Sequence, residues 1–156
     1  MSNELLDQLN SRDKILDFEE LLAKTPGSRT GEALDELCPL IHRYADHVYA
    51  REIFMPKDHV ITSKIHKTCH FYVILEGEVI VATDEGTVRL KAPYVGITPA
   101  GTKRAIHILE DCKWITFHLN PTNTQDLKKI EDDVIAKSFD ELPDLTEKVN
   151  SIKREG

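Results

Sequence analysis

The sequence predicts a mainly β domain, a single jelly-roll β-barrel with helices before and after it. From about residue 47 to about residue 120, roughly eight short stretches of strand-forming residues alternate with turn sequences. Helical periodicity is confined to the flanking segments, residues 3–24 and 123–139. The length of 156 residues suits one domain with a core of its own.

The N-terminal segment, residues 1–38, is predicted to be helical. Ser11 precedes an apolar patch at helical spacing and is the predicted N-cap of a helix within this segment. The Thr-Pro-Gly-Ser sequence at 25–28 ends the pattern, because Pro and Gly interrupt helices. These helices are expected to pack on the barrel rather than to carry chemistry.

The predicted barrel covers residues 39–121. Its strands are divided by Glu76-Gly77, by Asp-Glu-Gly at 84–86 and by Pro-Ala-Gly at 99–101, which are turn sequences.

The C-terminal segment is predicted to contain one helix and a loose end. The helix, residues 122–140, begins at Thr122 and Gln125, which have the spacing of a capping box. Residues 141–156 form a charged tail, and such terminal segments are commonly poorly ordered.

Composition excludes several classes of protein. The formal net charge of -7 argues against a nucleic-acid binder. No apolar stretch approaches the roughly 18 residues that span a bilayer, so no membrane association is predicted. Cys38, Cys69 and Cys112 have no regular spacing, which indicates free thiols in a reducing cytoplasm. The sequence therefore predicts a cytoplasmic protein.

Two histidines flank a short polar break between predicted strands. His66 and His70 stand at the two lips of this turn, and two imidazoles that converge across a turn can hold one cation. The alternative is a pair of surface histidines beside a hairpin.

A third histidine follows from strand alternation. Trp114, Thr116 and His118 share one face of the last strand, because successive side chains point to opposite faces. If this face lines the lumen, His118 is the third ligand of a divalent transition metal, and three imidazoles suit zinc, iron, nickel or copper. The alternative turns Trp114 and Thr116 outward and leaves His118 on the surface.

These residues resemble the two motifs of the cupin superfamily. Leu75-Glu76-Gly77 matches the glycine turn that ends the first motif, and the Pro-Ala-Gly-Thr-Lys-Arg sequence at 99–104 matches the second. The resemblance covers about residues 39–130 and implies a cupin-type jelly-roll barrel with a pocket.

The ligand positions depart from the cupin pattern. His70 occupies the slot of the usual glutamate and His66 that of the second histidine. Lys64 and Arg104 occupy the two remaining histidine slots. The resemblance therefore implies the scaffold, together with a ligand set of its own.

The sequence is more similar still to small phage and prophage cupins of unassigned activity. The similarity rests on Tyr-Ala-Arg-Glu at 49–52, Ile-His-Lys-x-x-His at 65–70, Gly-Thr-Lys-Arg at 101–104 and Trp-x-Thr-x-His at 114–118. It implies a host cytoplasmic location and no particular reaction.

Arg104 is expected to face the lumen, because its slot in the cupin motif does so. His107 has the opposite parity and should point outward. A buried Arg needs a partner, which is either a carboxylate, with Glu52 and Asp111 as the candidates, or an anionic ligand.

Charge balance favours the anionic ligand. Three neutral histidines leave a divalent ion uncompensated, and Lys64 and Arg104 add positive charge. Either Lys64 loses its proton, or a carboxylate or phosphate binds at the metal. Arg104 could then donate two parallel hydrogen bonds to this anion. Further predicted pocket residues are Tyr49, Arg51, Tyr72 and Thr116.

Three functions remain open, and a metal-binding cupin of unknown reaction is favoured. The first function is a metal-dependent enzyme acting on a small anion, with Tyr49, Tyr72 or Lys64 as the base. The second is a non-catalytic module that sequesters a small anionic metabolite or nucleotide. The third is a structural or partner-binding protein. A homo-oligomer is also predicted, with a dimer favoured. The helices at 3–24 and 123–139 would bury the contact between its subunits.

Overall fold

The computed structural model describes residues 3–29 and 32–142. The α-helices in this part are α1 (Asn3–Asp7), α2 (Arg12–Lys24), α3 (Glu32–Leu37) and α4 (Leu127–Val134). The strands are β1 (Leu40–Ala45), β2 (Val48–Met55), β3 (Val60–Thr62), β4 (Ile65–His66), β5 (His70–Thr83), β6 (Gly86–Lys91), β7 (Tyr94–Thr98), β8 (Ala105–Leu119) and β9 (Ile135–Ala136). A short 3-10 helix, Phe139–Glu141, follows.

Two long strands form the centre of the barrel. β5 and β8 pair with each other in a seven-stranded antiparallel sheet of order β1-β2-β8-β5-β6. Each long strand changes partner along its length, because β8 pairs with β2 over one half and β3 over the other, and β5 pairs likewise with β7 and β6. The sheet therefore folds over one lumen. The prediction of a mainly β barrel with flanking helices is confirmed.

Apolar side chains form cores on both sides of the second half of β5. Val79 and Val81 face the lumen and pack with Ile106 and Ile108. Ile80 faces the opposite way into a second cluster. The partners of Ile80 come mainly from the N-terminal helices and are Leu6, Leu9, Ile15 and Phe18.

The N-terminal helices begin and end close to where the sequence predicts. The side chain of Ser11 accepts a hydrogen bond from the backbone N–H of Lys14 at 3.2 Å, which confirms it as the N-cap of α2. Thr25 is the C-cap. Within the described part of the chain, none of the helices has the length and apolar character required to cross a bilayer.

The C-terminal segment differs from the prediction. Its helix begins at the N-cap Asp126, whose carboxylate accepts from the backbone N–H groups of Lys128 and Lys129, so the predicted capping box of Thr122 and Gln125 is wrong. The helix ends at Val134, and the chain continues as β9. Most of the predicted charged tail, residues 143–156, lies outside the described residues.

Candidate metal centre

Inward-facing side chains of the barrel lie in layers, because residues paired across antiparallel strands stand side by side. We call the end of the barrel that holds the first layer the mouth. From the mouth inward the layers are Tyr49, His118, His70 and Thr98; then Arg51, Thr116, Tyr72 and Gly96; then Ile53, Trp114 and Ile74; then Met55 and Cys112. The lumen thus changes from polar to apolar along the strands.

Three histidines meet in the first layer. The ring centroid of His66, from β4, lies 4.6 Å from that of His70 and 5.4 Å from that of His118, and the rings of His70 and His118 are 4.4 Å apart. One potential ligand atom from each ring lies within 4.8 Å of the others. All three side chains are buried. The predicted convergence is confirmed, and the alternatives that left these histidines on the surface are wrong.

The donor atoms fit a metal ion. Each ring has one buried nitrogen without a hydrogen-bond partner, namely Nδ1 of His66, Nε2 of His70 and Nδ1 of His118. Leaving a buried polar atom unpaired costs about 1–3 kcal/mol, so an ion bound by all three neighbouring rings would offset this cost. Imidazole nitrogen is a preferred ligand of transition metals. The cluster is consistent with a transition metal site.

Hydrogen bonds at the second nitrogen orient two of the rings. His70 Nδ1 lies 2.9 Å from the backbone oxygen of Thr68. A carbonyl oxygen can only accept, so Nδ1 carries the proton and Nε2 keeps its lone pair. His118 Nε2 lies 3.0 Å from Thr116 Oγ1. Such outer contacts fix the tautomer and the orientation of metal-binding histidines.

Burial keeps the three imidazoles neutral. It is the main reason that the pKa of His118 falls to about 3, and the pKa of His66 lies well below its usual value. Neighbouring histidines lower both values further. The pKa of His70 is also lowered, first by burial and then by Arg104, although the contact with the carbonyl of Thr68 opposes the shift. Neutral rings are the form that binds metal.

His66 is held by a C-terminal segment that the sequence predicts as helix. β9 pairs with β4, which places Ile135 opposite His66, and the backbone N–H of Lys67 donates to the carbonyl of Val134 at 2.7 Å. The available signal for β9 was the β-branched pair Val134-Ile135. α4 and β9 together therefore form a strap across the mouth of the barrel.

Arg104 points into the lumen, as predicted. It is buried, its Nη2 donates to Thr98 Oγ1 at 2.8 Å, and its guanidinium carbon lies 5.2 Å from the ring centroid of Tyr72 and 5.6 Å from that of Trp114. Burial lowers the pKa of Arg104 from its usual value. Thr98 is not among the predicted pocket residues, although its alternation with the exposed Ile97 in β7 places it on the inner face.

The carboxylates predicted as alternative partners of Arg104 bind elsewhere. Glu52 pairs with Arg43 at 2.5 Å, and Asp111 accepts from the backbone N–H of Lys57. Among the described residues, no carboxylate lies within ion-pair distance of Arg104. Arg104 is therefore a buried cation without an ion-pair partner in that part of the chain.

His107 points away from the lumen, as predicted. The register places it beside Val60 and Ile80, on the side of the sheet that faces the N-terminal helices.

Lys64 lies at the rim rather than deep in the lumen. The strand is interrupted between β3 and β4, so Lys64 does not take the lumen position that its slot in the cupin motif implies. The exposed ammonium of Lys64 pairs with Glu131 of α4 at 2.9 Å.

Tyr49 lies in the first layer, at the mouth, and Arg51 lies in the second layer. The ring of Tyr49 stacks on His118 at 6.0 Å, and its hydroxyl lies 2.6 Å from His42 Nδ1. Both residues line a cavity of about 160 Å³ beneath α4. Arg51 also lines a second cavity on the other side, so it lies between the two.

The second cavity adjoins the metal centre, and we call it the inner cavity. It has a volume of about 120 Å³. Its polar lining includes His66, Arg51, Arg104, Thr116 and Lys64. Its apolar lining includes Ile53, Met55, Ile61, Ile106 and Trp114. The predicted pocket residues Arg104, Arg51 and Thr116 thus share one cavity with a metal-centre histidine.

Comparison with solved structures shows similarity of fold at low sequence identity. DMSP lyase DddQ from Ruegeria pomeroyi is 19% identical over 63% of this chain and 54% of its own, with a TM-score of 0.51. An RmlC-like cupin family protein with a double-stranded β-helix fold from Methanocaldococcus jannaschii is 13% identical over 62% and 85%, with a TM-score of 0.45. A cupin superfamily protein from Desulfitobacterium hafniense is 19% identical over 51% and 76%, with a TM-score of 0.43.

No protein-family model matches the chain, and no curated protein matches it in sequence. The structural likeness shows the fold alone, because every identity reported above is below 20%. A phage or prophage origin stays a prediction from the motifs. The chain has the mainly β cupin fold with short helices, and it carries a buried cluster of three histidines at the mouth.

Proposed function

We propose that the protein binds a divalent transition metal through His66, His70 and His118 and holds a small anion beside it. One observation carries the proposal: three buried histidines converge in one layer, each with an unpartnered ring nitrogen, and a buried arginine without a carboxylate partner lines the adjoining cavity. Zinc, iron, nickel and copper are the metals that suit three imidazoles. When bound, such an ion polarises an oxygen ligand or lowers the pKa of a bound water.

The surrounding residues divide into two groups by what they contact. Thr116 and the carbonyl of Thr68 orient the histidine rings. Arg104 offers a planar fork of donors to a carboxylate or phosphate, and Tyr72 and Trp114 hold that fork in place through their ring faces.

A non-catalytic sequestering module is the second candidate, because the predicted bases are poorly placed for proton abstraction. The hydroxyl of Tyr49 is engaged with His42, and burial raises its pKa to about 12. Burial also raises the pKa of Tyr72. Lys64 is paired with Glu131 at the rim.

His70→Ala should remove bound metal. A ligand that binds only the native state stabilises it by about 3–4 kcal/mol when its free concentration is roughly 100–1,000 times its Kd. We expect the purified wild type to contain one metal ion per chain, and a chelator to lower its Tm. The variant should contain none and should not respond to the chelator. Elemental analysis and thermal unfolding measure both effects.

His107→Ala is the matched control, because His107 also has a buried ring nitrogen without a partner but stands apart from the cluster. Its metal content should equal that of the wild type. The metal proposal is wrong if the wild type shows equal melting temperatures with and without chelator and carries no metal.

Arg104→Gln should weaken the binding of the anion without releasing the metal. Loss of a hydrogen bond to a charged group removes about 1.5–3 kcal/mol of binding free energy, and Arg104→Lys should recover only part of it because an ammonium lacks the planar fork. Calorimetric titration with a panel of small carboxylates and phosphates measures the change. Lys64→Gln is the control at the rim, where solvent screens the charge, and should lose much less. Equal affinities of wild type and Arg104→Gln would make Arg104 a structural residue.

A further inference from the structure

The inner cavity has two chemically different ends. Its mouth end carries His66, Arg51 and Arg104, while its far end is formed by the apolar layers. The side chains of this far end are Ile53, Met55, Ile61, Ile106 and Trp114. A bound molecule that fills the cavity therefore meets positive charge at one end and hydrocarbon at the other.

The far end favours an apolar group over water. An apolar cavity of roughly 150 Å³ stays dry and binds benzene, so the 120 Å³ of the whole inner cavity holds a slightly smaller molecule, head group included. A water molecule needs two to four polar partners, and the aliphatic side chains of Ile53, Met55 and Ile106 supply none. A purely polar ion such as inorganic phosphate leaves this end unfilled.

The mouth end favours a head group of low charge. Asp35 lines the same cavity as Arg51 and Arg104, so the lining holds a carboxylate as well as these two cations. The desolvation penalty rises steeply with the charge that is buried, so a monoanion enters this small cavity at lower cost than a dianion.

We propose that the anion is a short-chain aliphatic carboxylate. Its carboxylate lies against Arg104 at the metal end, and a chain of roughly four or five carbons, set by the cavity volume, extends towards Trp114 and Met55. This inference rests on the proposed function, since it names the class of anion that the same site takes.

Trp114 provides a direct readout, because it is the only tryptophan of the chain and it lines the far end. We suggest titrating the zinc-loaded protein with acetate, butyrate, pentanoate, octanoate and inorganic phosphate, while recording calorimetric heat and tryptophan fluorescence. Affinity should rise about fourfold for each methylene from acetate to pentanoate, which is the gain for one buried CH₂. It should then fall for octanoate, and only the longer chains should change the fluorescence.

Met55→Ala should move the preferred length to longer chains by about one or two carbons, because it deepens the far end by several heavy atoms. Ile15→Ala is the matched control. It also removes fully buried apolar atoms, but from the cluster under the N-terminal helices, so it should leave the preferred length unchanged. The series on the wild type decides the proposal even if either variant fails to fold.

The outcomes separate this inference from the proposed function. Equal affinities for acetate and pentanoate, or phosphate binding tighter than every carboxylate, would overturn the short-chain carboxylate and leave the metal and anion site standing. Retention of the chain-length preference after chelation, with the metal lost, would support the cavity independently of the metal. A protein that takes up none of zinc, iron, nickel and copper and binds none of these anions would overturn the proposed function itself.

Discussion

The two halves of the long strands bury different kinds of side chain. In the closed half, residues 79–82 of β5 and 105–106 of β8 are all buried and all apolar. At the mouth, in residues 70–72 and 116–118, the buried side chains are His70, Tyr72 and His118.

The outer face of the mouth half is apolar and exposed. Phe71 is 58% exposed and Ile97 57%, and both alternate with buried polar neighbours. The usual alternation of an antiparallel sheet, apolar inside and polar outside, is thus reversed at this end of the barrel.

The contrast shows what decides burial along one strand. In the closed half, α1 and α2 cover the outer face of the sheet, so both faces of β5 are apolar there. At the mouth the candidate metal centre lies in the lumen, so the face of β5 that lines the lumen carries the polar side chains of that centre. Polarity by itself therefore does not identify the inner face of β5 in the closed half, where both faces are apolar, and it indicates the wrong face at the mouth.

The largest expected difference between the halves lies on the outer face. Ile80→Ala should destabilise the protein by about 2–5 kcal/mol, since it removes a large side chain packed under the N-terminal helices. Ile97→Ala is the matched change at the mouth and should fall within about 0.5 kcal/mol of wild type, as is usual for exposed positions. Urea denaturation with unchanged m-values measures both.

A large loss of stability in Ile97→Ala would contradict this difference between the two halves. It would show that the outer face of the mouth is covered in solution, and a dependence of the Ile97→Ala effect on protein concentration would then support the predicted homodimer. That homodimer stays a prediction. The exposed apolar side chains Phe71, Ile97 and Phe117 lie on the sheet rather than on the helices to which sequence reasoning assigned the contact.

Gly77 separates the two halves, and its replacement should give the next largest effect. The β5–β8 register shifts around it, its φ is +92°, and an added Cβ would lie 2.3 Å from the backbone oxygen of Asp111. Gly77→Ala should therefore destabilise the protein by about 2–4 kcal/mol, through a left-handed backbone and a clash with main chain that cannot rotate away.

Gly27→Ala is the control for Gly77, because Gly27 also has a positive φ, +83°, but nothing lies within 4 Å of its added Cβ. Gly27→Ala should lose only the stability that a left-handed backbone costs an alanine, about 1–2 kcal/mol. Equal losses of stability at the two positions would mean that the register shift around Gly77 accommodates the added Cβ. Gly77 would then not separate two independent halves.

The fold class and the convergence of the histidines followed from local sequence patterns, and the inward direction of Arg104 followed from its slot in the cupin motif that these residues resemble. Strand alternation fixes which side chains share a face, and the turn at Glu76-Gly77 together with the Pro-Ala-Gly turn fixes the cupin scaffold. Ser11 as a helix cap is equally local, since a cap contacts only the next turn.

Tertiary structure alone decided which groups complete the site. The break between β3 and β4 turns Lys64 to the rim, and β9 pairs with the strand of His66 although the two are far apart in sequence. The absence of a carboxylate at Arg104 among the described residues depends on where Arg43 and Lys57 place Glu52 and Asp111. Such choices are made between distant segments by packing and charge pairing, which no local periodicity encodes.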